Sequence, residues 1–510
     1  MNGPDPGLRL ASPPGRWVVA ATVLGSAIAA IDSTVVGIAL PAIGRDFHMS
    51  VSSLQWVVTG YLLALAGLLL VGGALGDRYG RRRVFVVGVT WFALASLLCA
   101  LAPDGRTLIL ARGLQGVGGA LLTPGSLAIL QASFAPDDRA RAIGAWSGFA
   151  GVGTAVGPFL GGFLISAVSW RMIFLINLPL AAAVVAMAVR HVPETRDPGA
   201  QGPVDYVGAA TVTAGLGLLT AGLIAAPGRG WSSGPVVGLV GAGAAALVAF
   251  VVVERRRPSP LLPVGIFASR QFTATNAVTF VVYAALGGAL FLLPVQLEQV
   301  GGYSPLQAGV SLLPLTAMML VLSARSGALA ARIGPRLQMA TGPVVVGAGM
   351  VLLRWAGPGG SYVSGVLPGV LVLGAGLVIT VAPLTATALS SAPVEHAGMA
   401  SAVNNDVARA GGLIAVALLP PLAGLTGRSY LHPVLLTAGF RHALVIAGVA
   451  AALGGLIAAA GVRNPRRAPE ARHAPGLSAP PPRLCCPLEA TPLDGPARTG
   501  ASSAITLGNS

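Results

Sequence analysis

Fourteen apolar runs, each roughly 19–28 residues long, alternate along the chain with short links rich in arginine, proline and glycine. They fall near 17–40, 54–75, 84–102, 107–131, 142–166, 171–189, 206–226, 235–253, 272–294, 306–330, 337–355, 361–388, 398–419 and 440–462. Runs of this length match a hydrocarbon layer of about 30 Å with some tilt. Only helices can fill them, because backbone groups in lipid must find their hydrogen-bond partners inside the segment. The chain therefore reads as an all-α polytopic membrane protein with fourteen transmembrane helices. Composition agrees: 10% of the 510 residues are charged, against about 25% in a soluble protein. The 70 glycines and 39 prolines sit largely within the apolar runs, where small residues let helices approach closely.

The formal charge of +15 would suggest nucleic acid in a soluble protein. Here the arginines flank apolar runs, so topology explains them and no nucleic-acid partner is expected. With both termini cytoplasmic, 23 of the 32 basic residues fall inside, 7 fall outside, and Arg112 and Arg409 lie within runs. The polar stretches 191–205 and 254–271 divide the helices six, two and six. The expected organisation is a cytoplasmic leader over 1–16, a six-helix bundle over 17–190, linkers and two extra helices over 191–271, and a second six-helix bundle over 272–462. The apolar middle of the second linker, Leu261 to Phe267, is expected along the membrane surface. A Pro-, Ala- and Arg-rich cytoplasmic tail over 463–510 is expected to be disordered. The first run continues past the usual cleavage length and reads as a retained helix, not a signal peptide. Cys99, Cys485 and Cys486 offer neither a disulfide framework nor metal-ligand spacing, and no catalytic constellation is found.

Four stretches carry chemistry. The link Gly73-Ala74-Leu75-Gly76-Asp77-Arg78-Tyr79-Gly80-Arg81-Arg82-Arg83 recurs 254 residues later as Gly327-Ala328-Leu329-Ala330-Ala331-Arg332-Ile333-Gly334-Pro335-Arg336. Topology alone accounts for its arginines, but not for Asp77 or for the copy in register. Asp32 in the first run and Arg112 in the fourth are ionisable groups inside the membrane, which are functional candidates by default. Counted from the outer ends of their runs at ~1.5 Å per residue, Asp32 lies at ~12 Å and Arg112 at ~9 Å, so opposite charges share a depth. Gly153, Gly157, Pro158, Gly161 and Gly162 form a GxxxGPxxGG string in the fifth run that suits close helix packing and a bend. In the thirteenth run Asn404, Asp406 and Arg409 gather; the last two, three apart, either neutralise each other or form a second coupling site or gate. Gln55 and Tyr61 open the second run as candidate substrate contacts, and Gln296, Glu298 and Gln299 are expected to be solvated at the outer end of the ninth.

These strings, in this order, resemble the major facilitator superfamily and, within it, the fourteen-helix drug:proton antiporters of the EmrB/QacA type. The 73–83 link is similar to the inner-loop signature, with Gly73, Asp77, Arg78, Gly80, Arg81 and Arg82 as the latch between bundles; Ala331 departs from it. The stretch around Asp32 is similar to the first-helix signature, although Gly37 stands where the family usually has Asn. Arg112-Gly113-Leu114-Gln115-Gly116 resembles the fourth-helix signature, where the arginine is implicated in proton coupling. The GPxxGG string resembles the antiporter signature of helix 5. The resemblance implies two six-helix bundles around a central cavity, rocking for alternating access, and multi-pass localisation in the cell membrane. It implies efflux of small amphipathic compounds in exchange for protons, with Asp32 taking up and releasing the proton beside Arg112. Small-molecule substrate, protons and lipid bilayer are then the partners, a monomer the expected unit, and the proton gradient the energy source, with no cofactor, no metal and no enzymatic step. Few intramembrane acids and 5% aromatics favour a neutral or weakly charged cargo, such as an antibiotic or secondary metabolite, over a dicationic dye. A nutrient importer of the same fold and a polytopic membrane sensor are the rival readings.

Overall fold

The computed structural model describes residues 7–197, 204–257, 260–357, 359–391 and 397–464, apart from the side-chain surroundings of residues 140, 147–155, 397, 398 and 430. Most of the tail expected from 463 onward and the first six residues of the leader lie outside that description, as do the surroundings of Gly153. The long helices are α1 (Pro13–Asp46), α2 (Val51–Tyr79), α3 (Arg81–Ala100), α4 (Gly105–Ser133), α5 (Pro136–Ala167), α6 (Asn177–His191) and α7 (Tyr206–Arg229). They continue as α8 (Gly234–Arg256), α9 (Arg270–Gln299), α10 (Leu313–Ile333), α11 (Pro335–Leu353), α12 (Leu367–Ser390), α13 (Ala397–Leu422) and α14 (Pro433–Gly461). One-turn helices lead into α6 (Met172–Leu175), α10 (Pro305–Val310) and α12 (Tyr362–Gly365).

Among the described residues, thirteen helices are long and apolar enough to cross a membrane. The other long helix, α5, spans 32 residues, of which Val156–Ala167 form a shorter apolar stretch. The helices outrun the apolar sequence at many ends because polar residues cap them. Ser50, Asp104 and Asp205 accept the backbone N–H of Ser53, Thr107 and Gly208, satisfying donors that the first turn leaves free.

Helix pairing repeats with a shift of eight. The close pairs α1/α5, α2/α4, α3/α4, α1/α6 and α3/α6 recur as α9/α13, α10/α12, α11/α12, α9/α14 and α11/α14. The sequence repeat at 73–83 and 327–336 thus has a counterpart in packing. Helices α7 and α8 pair with each other, and α7 also lies against both α2 and α13. In the linker after α8, Leu261 packs on Val71 and Ala209, while Ile266 and Phe267 pack beside Phe272 and Ala400. Its apolar residues therefore cover helix ends of the bundle.

One expectation fails here. Gln296 and Glu298 are buried, not solvated. Gln296 donates Nε2 to the carbonyl of Ala356 at 2.9 Å, and Glu298 faces Arg45 of α1 across the two halves at 3.8 Å. A position near a helix end says nothing about a neighbouring half that covers it.

Candidate functional site

Asp32 on α1 and Arg112 on α4 are each 1% exposed and form an ion pair at 2.6 Å. Their shared depth becomes contact because α1 and α4 are neighbours. A buried carboxylate is tolerated only if its other lone pairs are engaged, and here Gln115 Nε2 donates to Asp32 Oδ1 at 2.7 Å and to Ser96 at 2.8 Å. Asn177 at the start of α6 adds donations to Ser96 at 3.2 Å and Asp32 at 3.4 Å. Arg112 is satisfied from several sides: Gln115 Oε1 at 2.5 Å, the Val57 carbonyl at 3.2 Å, and the Tyr61 ring, whose centroid lies 4.4 Å from the guanidinium carbon. Sequence reasoning assigned no role to Ser96 or Asn177; both are short polar groups in apolar runs, the one signal available.

Helix α5 packs on the turn that carries Asp32. A Cβ added at Gly157 would run into the Thr34 hydroxyl, and one at Gly161 would meet Val35 at 2.5 Å. Gly162 faces the other way, where an added Cβ would meet the Pro305 carbonyl of the second half at 2.5 Å. Gly309, in return, lies directly against the carbonyl of Pro158. The string therefore seats α5 between α1 and the turn before α10.

A cavity of about 820 Å³ lies between the halves. The first half lines it with Ser33, Thr34, Gly37, Tyr61, Arg112 and Pro158, and the second with Tyr283, Leu286, Phe291, Leu315, Met319, Val381 and Gly412, among others. Arg112 is the one charged side chain among the lining residues, and Asp32 stands behind it, out of the wall. Tyr283, which sequence did not single out, faces the same space as Tyr61.

Other candidates are placed elsewhere. Gln55 does not line the cavity; its Nε2 donates to the carbonyls of Val416 at 2.7 Å and Ala417 at 3.1 Å on α13. Asn404 donates to Asn276 at 3.1 Å and Thr279 at 2.8 Å on α9. Asp406 and Arg409 make no ion pair within 4.0 Å among the described residues, and neither Asp406 oxygen has a hydrogen-bond partner there. Spacing of three on a helix did not join them.

At the first hairpin Asp77 pairs with Arg81 at 2.8 Å, and Gly80 turns the chain at φ +117°. Glu194, just past α6, accepts the Arg82 backbone N–H at 3.1 Å and lies 3.6 Å and 3.7 Å from the Arg82 and Arg83 guanidiniums. Arg81 N–H donates to the Thr195 carbonyl, and Asp197 N–H to that of Asp77. These bonds stay within the first half. At the opposite end, polar contacts among the described residues join the halves: Arg45 with Glu298, Arg428 with the His48 carbonyl, Val51 N–H with the Gly427 carbonyl, and Gln55 with α13.

A family model described as Major Facilitator Superfamily matches residues 22–417. The tetracenomycin C resistance and export protein of Streptomyces glaucescens is 36% identical, covering 78% of this chain and 74% of its own. The methylenomycin A resistance protein of Bacillus subtilis is 34% identical, covering 87% and 93%. Among solved structures, a peptide transporter in complex with sulfate superposes with a TM-score of 0.63 at 15% identity, covering 86% of this chain and 93% of its own. A bacterial homologue of the human lysosomal transporter Spinster gives 0.60 at 17%, covering 88% and 96%. At those identities the likeness is one of fold.

Proposed function

Since the chain belongs to the Major Facilitator Superfamily, we propose that it exports small amphipathic compounds across the cell membrane in exchange for protons. The relatives named for antibiotic resistance and export support the direction of transport. The observation that carries the coupling is the buried Asp32–Arg112 pair, whose arginine alone reaches the cavity. Asp32 takes the proton and Arg112 sets how firmly it is held, with Gln115, Ser96 and Asn177 holding the carboxylate in place. Breaking such a pair from one side costs about 3–5 kcal/mol, so protonation of Asp32 is a strong lever on the position of α4 relative to α1.

Residues 17–190 and 272–462 rock as two bundles about the cavity, with the 191–271 helices between them and both hairpins and termini on the cytoplasmic side. The contacts joining the halves opposite the hairpins then close the outer end, and Asp77 with its arginines acts at the inner end as the latch. Asp406, whose carboxylate oxygens are buried without a hydrogen-bond partner among the described residues, serves as a secondary coupling group. A wall that is apolar apart from Arg112, two tyrosines and a few hydroxyls suits neutral or weakly charged cargo and disfavours dications. The process needs no cofactor and no covalent step.

The test is a drug panel in an efflux-deficient host, with proton exchange followed in everted vesicles. Asp32→Asn is expected to abolish proton-driven export while the protein still reaches the membrane. Full proton-coupled export by that variant would sink the assignment.

A further inference from the structure

Helix α13 ends with two consecutive prolines, Pro420 and Pro421, inside the Ala397–Leu422 helix. A proline has no backbone N–H, so the carbonyl four residues before it loses its helical donor. The two carbonyls deprived in this way are those of Val416 and Ala417. They are the same two that accept from Gln55 Nε2, at 2.7 Å and 3.1 Å, across the boundary between the halves. One amide nitrogen carries two N–H groups, one for each orphan. Gln55 is 2% exposed, and Val416 and Ala417 are fully or nearly fully buried, so water has no ready access to either carbonyl.

We infer that Gln55 is a positioning residue for transport: it closes the end of the cavity opposite the hairpins by completing the backbone hydrogen bonding that Pro420 and Pro421 leave open. A helix in lipid cannot leave carbonyls unsatisfied without cost. The prolines therefore leave α13 two carbonyls that, in the closed arrangement where water is excluded, find their donor on α2 of the other half. When that end opens, the pair of bonds is exchanged as a unit for water. Gln55 acts through α13 and does not touch cargo, which separates it from the cavity-lining Tyr61.

The inference rests on the alternating-access reading, but its test reads conformation and not export, so the two can fail separately. Spin labels are placed on the full chain at Arg106→Cys and Ser361→Cys, exposed positions beside the ends of α4 and α12 remote from the hairpins, in a background without native cysteines. Their distance distribution is measured in liposomes. Two net hydrogen bonds correspond to about a tenfold change in a two-state ratio. Gln55→Met is expected to raise the open population about tenfold. Pro420→Ala with Pro421→Ala, which restores both helical donors, is expected to leave the wild-type distribution. The combined variant, Gln55→Met with both proline replacements, is expected to return to the closed state. A Gln55→Met protein as closed as wild type, or a combined variant as open as Gln55→Met alone, overturns the inference. If Gln55→Met does not fold, recovery of a folded, closed protein in the combined variant supports it, and failure to recover overturns it.

Discussion

At both hairpins a glycine with positive φ, Gly80 at +117° and Gly334 at +87°, turns the chain between two helices. In each, a side chain from the segment after the last helix of that half reaches back and accepts a backbone N–H two residues beyond the glycine. Glu194 accepts from Arg82, and Asn464 accepts from Arg336 at 3.0 Å. The geometry is duplicated and the charge is not. Where the first hairpin has Asp77 and Glu194, the second has Ala331 and Asn464. The second keeps its arginine busy with a backbone carbonyl instead, Arg336 donating to Ala459 at 2.7 Å and 3.1 Å. Neutral partners suffice to hold such a turn together. The acids of the first half are therefore surplus to the fold, which is where a function is to be sought.

That contrast can be broken most forcefully at the glycines. Gly80→Ala and Gly334→Ala each force an L-residue into positive φ, and each new Cβ collides with the reaching side chain, Glu194 at 2.5 Å in the first case and Asn464 in the second. Each is expected to destabilise the protein by about 1–3 kcal/mol, read as similar drops in thermal stability in detergent. A large drop at one hairpin only would show that the two geometries are not equivalent. The next largest effect is expected at the reaching residue. Glu194→Gln keeps the backbone hydrogen bond but loses the charge facing two guanidiniums, and is expected to cut export several-fold, while Asn464→Asp changes it less than twofold. Equal losses would erase the asymmetry. The smallest effect on stability belongs to Asp77. Its carboxylate is 38% exposed, so the pair with Arg81 is worth about 0.2–1 kcal/mol after screening. Asp77→Asn should hardly move the melting temperature yet slow transport, and Ala331→Asp should do neither. A transport loss no larger than the stability loss would leave Asp77 without a gating role.

The lengths of the apolar runs make the helices legible, and depth along two of them brings Asp32 and Arg112 to one level. What stayed hidden depends on which helices become neighbours. Ser96 and Asn177 join the Asp32 network because α3 and α6 pack together beside α1. Glu194 and Asn464 reach the hairpins only because the chain returns to them after each sixth helix. Glu298 lies where sequence suggests water, and the other half covers it. Asp406 and Arg409 have the spacing of a helical pair and do not meet. A local rule such as three-residue spacing states what is reachable and leaves the choice of rotamer to the surroundings.

Arg112 is the one member of the ion pair that faces the cavity, with Asp32 screened behind it. In the proposed exchange, cargo and proton therefore do not share a surface; each addresses a different side of one guanidinium. Linkage makes their influence mutual: the factor by which the proton alters cargo affinity is the factor by which cargo alters proton affinity. Titrating either species in the presence of the other measures the same number. If the proposed exchange runs through the arginine and not through a bond between cargo and carboxylate, the shape and polarity of the cavity wall can vary without rebuilding the proton site.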